Sequence, residues 1–146
     1  MGQPEYIIHG DAEAAVVDIL QNLTPELSFF SGTTTISTNL TGYTVGDRWV
    51  MVTQEGSLEE WPVIDRPRID FEVYAERRSV ARDIAAICLA SVKYQMGRYT
   101  GFGLFLSDAR VEQGLTRVPD KYQESVRYVF ALRLTTRPSG FLASPS

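Results

Sequence analysis

Three carboxylates near the middle of the chain, Asp65, Asp70 and Glu72, come closest to a chemistry in their type and spacing. Paired carboxylates beside a strand can hold Mg²⁺ and activate water, as a metal-dependent nuclease requires. That arrangement also wants a lysine two residues after the second carboxylate. Tyr74 stands there instead, and the only lysines further on are Lys93 and Lys121. The plainer reading, in which Asp70 and Glu72 line the polar face of a sheet, is preferred.

The remaining candidates are weaker. His9 is the only histidine, so a hydrolase triad or a histidine metal site would rest on it alone, and no Gly-x-Ser-x-Gly turn accompanies it. Cys88 lies one helical turn from both Ile84 and Val92, a setting for a small core residue rather than a reactive thiol. Gly97, Gly101 and Gly103 follow a helix, with no Gly-Lys-Ser/Thr after them. They make neither a phosphate loop nor a dinucleotide fingerprint, and read as a hinge or contact loop. The expectation is a protein with no catalytic residue, no metal site and no cofactor.

The elements that position these residues begin with Pro67 to Lys93. Pro67-Arg68-Ile69-Asp70-Phe71-Glu72-Val73-Tyr74 alternates, so Ile69, Phe71 and Val73 face a core while Arg68, Asp70, Glu72 and Tyr74 point away. A helix from Ser79 to about Met96 follows, with Val80, Ala81, Ile84, Ala85, Cys88, Val92 and Met96 on one stripe and Gly97 at its end. Upstream, an extended lead (Tyr6-Ile7-Ile8) precedes a helix capped by Asp11, with Ala12, Ala15, Val16, Ile19, Leu20 and Leu23 on its apolar face. That helix ends between Asn22 and Pro25.

Strands are expected at Thr33–Thr38 and Arg48–Thr53, with Gly42 and Gly46-Asp47 as turn signals, and the two read as a hairpin. Gln54 to Arg66, polar and acidic around Trp61-Pro62, reads as a loop. Leu104 to Glu112 reads as a strand and Gly114 to Asp120 as a loop. Val126 to Arg137 is the longest alternation: Val126, Tyr128, Phe130, Leu132 and Leu134 on one face, Arg127, Ala131, Arg133, Thr135 and Arg137 on the other. The fold class expected is α+β, a mainly antiparallel sheet with two helices packed on one face. Residues 1–137 read as one domain and 138–146 as a flexible tail.

Composition narrows the class further. The chain has 146 residues, 44% of them apolar and 22% charged, which is ordinary for a globular domain. A net charge of −4 lacks the basic excess of a nucleic-acid binder. One cysteine allows no intrachain disulfide. The first residues lack a signal-peptide pattern and no window is apolar enough to span a membrane, so a reducing cytoplasm is expected and the sequons at Asn22 and Asn39 read as chance.

The polar faces of two strands carry opposite charges, Asp70 and Glu72 on one and Arg127, Arg133 and Arg137 on the other. Adjacent strands would let them pair across the sheet; faces belonging to different subunits would let them set the register of an assembly.

Pro67 to Ala75, followed by the alanine-rich helix Ser79-Val80-Ala81-Arg82-Asp83-Ile84-Ala85, resembles the tail terminator proteins of long-tailed bacteriophages, those of actinobacterial siphophages in particular. Val111-Glu112-Gln113-Gly114, Val118-Pro119-Asp120, Arg127-Tyr128-Val129-Phe130 and Thr136-Arg137-Pro138 agree, so the resemblance runs from about Asp11 to Pro138. It implies a small subunit of a homohexameric ring that caps the tail tube, ends its polymerisation and joins it to the head-tail connector. It also implies a place in the virion neck, assembly in the host cytoplasm, and DNA only as cargo through the lumen. The Arg98-Tyr99-Thr100 loop and the Thr33–Thr53 segment become candidate contacts with neighbouring subunits or the tube, and Phe141-Leu142 reads as a further contact. Another neck protein, a tail-completion or head-closure protein, is the alternative, and a small metal-dependent nuclease a more distant one.

Overall fold

The computed structural model describes residues 10–29, 33–60, 64–119 and 126–139. His9, the Tyr6-Ile7-Ile8 lead, Trp61-Pro62, Asp120 and Phe141-Leu142 lie outside the described residues.

The elements run α1 (Ala12–Asn22), α2 (Glu26–Phe29), β1 (Thr35–Ser37), β2 (Trp49–Glu60), β3 (Ile64–Ala75), α3 (Arg78–Tyr94), β4 (Thr100–Gly101), β5 (Leu104–Val118) and β6 (Val126–Pro138). The strands form one six-stranded sheet in the order β1-β2-β3-β6-β5-β4. All its neighbours are antiparallel except β1 and β2. The two long helices cover one face, which is the α+β arrangement read from the sequence.

Alternation builds the core as expected. Ile69, Phe71 and Val73 are fully buried, and β6 supplies Tyr128, Phe130, Leu132 and Leu134 to the same face. Phe71 and Phe130 are register partners whose rings stack with centroids 4.3 Å apart and planes 5° from parallel. The α3 stripe (Val80, Ala81, Ile84, Ala85, Cys88, Val92) is buried against them, and Met96 packs at its margin. In α1 the stripe holds through Leu20, but Leu23 is 45% exposed, because the helix has already ended at Asn22. Asp11 caps α1 as predicted, its carboxylate accepting from the Ala14 N–H at 3.0 Å.

Three expectations need correction. The Thr33–Thr38 and Arg48–Thr53 segments do not form a hairpin; β1 lies parallel to β2, with Thr35 opposite Trp49. Parallel neighbours need a crossover, and the intervening loop supplies it. Tyr43 in that loop packs 5.9 Å from Trp49 and 5.1 Å from Tyr74, and the Trp49 indole N–H donates to the Asn39 carbonyl at 2.9 Å. The chain is thus carried over the open face of the sheet and re-enters from the same end.

Within the segment Gln54 to Arg66 the described residues are not loop: Gln54–Glu60 continue β2 and Ile64–Arg66 begin β3, the two strands in register from Gly56–Arg68 out to Glu60–Ile64. On the β3 side of this two-stranded arm the buried positions are Asp65 and Pro67, so burial writes no apolar period there and the segment reads as loop. Likewise Gly114 to Val118 continues β5, with irregular register between Leu106 and Asp108, Val111 and Gln113, and Gln113 and Thr116. Bulges of that kind blur the two-residue period that a strand is recognised by.

The start of α1 is tied to the far end of the sheet. Asp11 N–H donates to the Phe102 carbonyl, and Ser139 N–H donates to that of Gly103, both at 3.0 Å. Gly10 fits because a Cβ there would stand 2.4 Å from the Phe102 carbonyl oxygen.

Candidate assembly surface

The face of the sheet opposite the helices is the candidate surface. It carries the outward positions of β2, β3, β6 and β5, including Met51, Thr53, Glu55, Arg68, Asp70, Glu72, Gln113 and Val129, around a shallow hollow of about 290 Å³. Because β3 and β6 are antiparallel neighbours, the condition for pairing across the sheet is met.

Glu72 accepts from Arg127 at 3.1 Å, a diagonal contact, since Glu72 faces Val129 and Arg127 faces Tyr74 in register. Asp70 instead pairs with Arg68 of its own strand at 3.0 Å. Arg133 pairs with Glu112 of β5: its Nε and Nη2 donate to the two carboxylate oxygens at 2.9 and 3.0 Å, and its Nη1 donates to the Arg66 carbonyl at 3.0 Å. Glu112 also lies 3.7 Å from Arg68. Its hydrogen bonds to Arg133 hold its carboxyl below the usual glutamate range, with both arginine charges adding to the effect. Solvent screens such half-exposed pairs, so each adds little to stability by itself.

Glu112 and Arg68 are the participants that sequence reading did not single out. Glu112 occupies the position that the register break between Val111 and Gln113 leaves without a ladder partner, and no sequence signal marks a bulge there. Arg68 was legible as an outward residue; its partner was not.

The other candidates fall elsewhere. Arg137 is exposed near the end of β6, opposite Phe105. Arg98 stacks over the Tyr94 ring at 4.4 Å and donates to the Tyr94 carbonyl at 2.8 Å, so it closes the end of α3 while remaining exposed. Tyr99 is buried, its hydroxyl donating to Asp18 of α1 at 2.7 Å. Burial, then the Asp18 carboxylate, pushes its phenol far above the ordinary value. Tyr99 therefore ties the loop to α1 within the subunit, while Arg98 and Thr100 stay exposed.

At one end of the face Trp49, Tyr74 and Tyr43 make an aromatic cover. It is pinned where Arg48 donates to Glu76 with Nη2–Oε1 at 2.7 Å. On the helical side a separate groove of about 480 Å³ is lined by Leu23, Glu26, Ile87, Ala90, Ser91 and Tyr94.

The carboxylates that suggested a metal do not converge. Asp65 is buried on the helix-covered side of β3, whereas Asp70 and Glu72 point to the opposite side. An odd spacing along a regular strand places side chains on opposite faces. No group of three or more His, Cys, Asp or Glu side chains suited to a metal occurs among the described residues. Cys88 is fully buried on α3, and burial pushes its thiol up to about 12. No helix among the described residues is long and apolar enough to cross a membrane.

No protein-family model matches the chain, and no curated protein matches it. Among solved structures it is similar to a chain of the virion of a native gene transfer agent particle. The two share 15% identity with a TM-score of 0.64, over 86% of this chain and 94% of the other. At that identity the likeness is one of fold, and it extends over nearly the whole of both chains.

Proposed function

We propose that the chain is a structural virion subunit, specifically a tail terminator that assembles into a ring on the tail tube, stops its growth and joins it to the head-tail connector. The observation that carries this reading is the fold shared along almost the full length of a virion component. The resemblance running from Asp11 to Pro138 gives it its particular form. Arg68, Arg127 and Arg133 of the exposed sheet face are engaged by carboxylates, and the net charge is −4. Such a surface suits a conduit that passes DNA without gripping it.

The test is to add the purified protein to polymerising tail tubes and measure tube length by electron microscopy. Growth should stop at the lengths present on addition, with a ring at the tube end. Tubes that keep lengthening would sink the terminator. Binding to the connector rather than the tube would assign the chain to a neighbouring neck role.

A further inference from the structure

Among the described residues the sheet ends in two long backbone edges with no further strand beside them. Beyond Met51, where β1 stops, no described residue continues the ladder along β2 from Val52 to Glu60. Beyond Leu106, whose N–H and C=O are taken by Tyr99 and Gly97, none continues it along β5 from Ser107 to Val118. Long open edges of this kind are templates for another strand. Side chains hold only part of them; the Gln54 N–H, for example, goes to Glu13 at 2.8 Å.

We infer that these two edges are complementary docking surfaces between copies of this chain, the β2 edge of one subunit meeting the β5 edge of the next. This deepens the proposed ring and rests on that reading for its closure. Three observations favour a second copy as the occupant.

The first is direction. β2 is antiparallel to β3, β3 to β6 and β6 to β5, so β2 and β5 run oppositely. Subunits related by rotation about a ring axis share one orientation, so β2 would meet its neighbour's β5 antiparallel.

The second is height. Gly56 is level with Arg68, Arg68 with Arg133, and Arg133 with Arg110, so the two open stretches overlap across the sheet. The short strands β1 and β4 lie at opposite ends of them and leave a common window.

The third is complementarity. The β2 edge carries the exposed Glu55. At the same height β5 presents Arg110, whose side chain is 83% exposed and pairs with Asp108 of its own strand, and Val111, which is 44% exposed. A neighbouring β2 would set Glu55 near Arg110 and cover Val111. The three register breaks in β5 bend this edge, and a bent junction favours closure over an endless flat sheet.

Charge reversal and its compensation test the inference. Mass photometry and negative-stain microscopy would compare the parent chain with Arg110→Glu, Glu55→Arg and the double variant. Both sites are exposed, so thermal unfolding should stay at the parent value and report intact folding. The parent should associate, each single variant should associate about tenfold more weakly, and the double variant should recover. A parent monomeric at every concentration, single variants that assemble like the parent, or a double variant that fails to recover would each overturn it. A chain that associates in this way yet leaves tubes growing sinks the terminator alone. One that stops tubes while ignoring both reversals sinks the edge pairing alone.

Discussion

Arg68 and Arg133 stand directly opposite one another on adjacent antiparallel strands, and the Glu112 carboxylate from a third strand lies 3.7 Å from the first and 2.9 Å from the second. Like charges facing across a ladder are unfavourable; here a bulged position on β5 supplies the counter-charge. The sheet's exposed face is thus balanced within the subunit, and β3, β6 and β5 are tied side to side at one height.

Glu112→Ala should therefore cost more than the loss of one surface pair, because it leaves Arg133 without its carboxylate and facing an Arg68 balanced by Asp70 alone. In an Arg68→Ala background the same change should cost measurably less. Urea unfolding of the four proteins of this cycle gives the coupling. Equal costs in both backgrounds would mean that the opposition of the arginines has no energetic consequence.

Acid should expose the same pairing. Glu112 and Glu76 are held below the usual glutamate range by their hydrogen bonds to Arg133 and Arg48. The unfolded chain takes up their protons first as pH falls. Their contribution is complete above the ordinary glutamate value, shrinks through it, and is gone below the lowered folded value. Glu112→Gln should flatten the fall of stability that begins as pH drops through the ordinary glutamate value, and narrow its gap from the parent at the acid end. An acid limb parallel to the parent's would assign the pH dependence to other groups.

How much of this was legible in the sequence depended on what each segment buries. Ile69, Phe71 and Val73, and the α3 stripe from Val80 to Val92, sit between two layers, so burial writes a period into their residue types. The β2–β3 arm and the end of β5 bury little apolar side chain, Asp65 and Pro67 in the one and the half-buried Leu115 in the other, and their backbone is held mainly by ladder partners. Nothing in Gln54-Glu55-Gly56 or Gly114-Leu115-Thr116 records that. The parallel β1–β2 pairing was hidden for a related reason: Tyr43, which carries the crossover, packs on Trp49 and on Tyr74, and the second of these lies far from it in sequence. Outward charges on β3 and β6 were readable, and so was a Glu72–Arg127 pair across them; the partner of Arg133 depended on a bulge that was not.

Phe71→Ala should be among the most damaging single changes. Its ring is fully buried and stacks on Phe130 at the centre of the sheet, so truncation should cost about 3–5 kcal/mol. Phe71→Leu, which refills most of the volume, should recover much of that in denaturant titrations. A loss below about 1 kcal/mol for the alanine variant would show that α3 collapses into the space.

Tyr99→Phe isolates the tie between the 98–101 loop and α1. It removes the hydroxyl that donates to Asp18 at 2.7 Å and keeps the ring, so stability should fall by about 1 kcal/mol. If the loop contributes to assembly through Arg98 alone, this variant should associate as the parent does once the stability difference is allowed for. Altered association at matched folded fraction would return Tyr99 to the contact surface.

Cys88 provides a probe of whether this packing opens. Its thiol is fully buried and its ionisation is pushed up to about 12 by that burial, so little thiolate exists at neutral pH and a reagent cannot reach it. An aromatic disulfide reagent should label the folded protein only through opening of α3, at a rate that tracks global stability. Destabilising the core by Phe71→Ala should raise that rate steeply, whereas reversing the exposed Arg110 should leave it unchanged. Fast labelling in the parent, unaffected by Phe71→Ala, would show that α3 lifts from the sheet without the rest of the core unfolding.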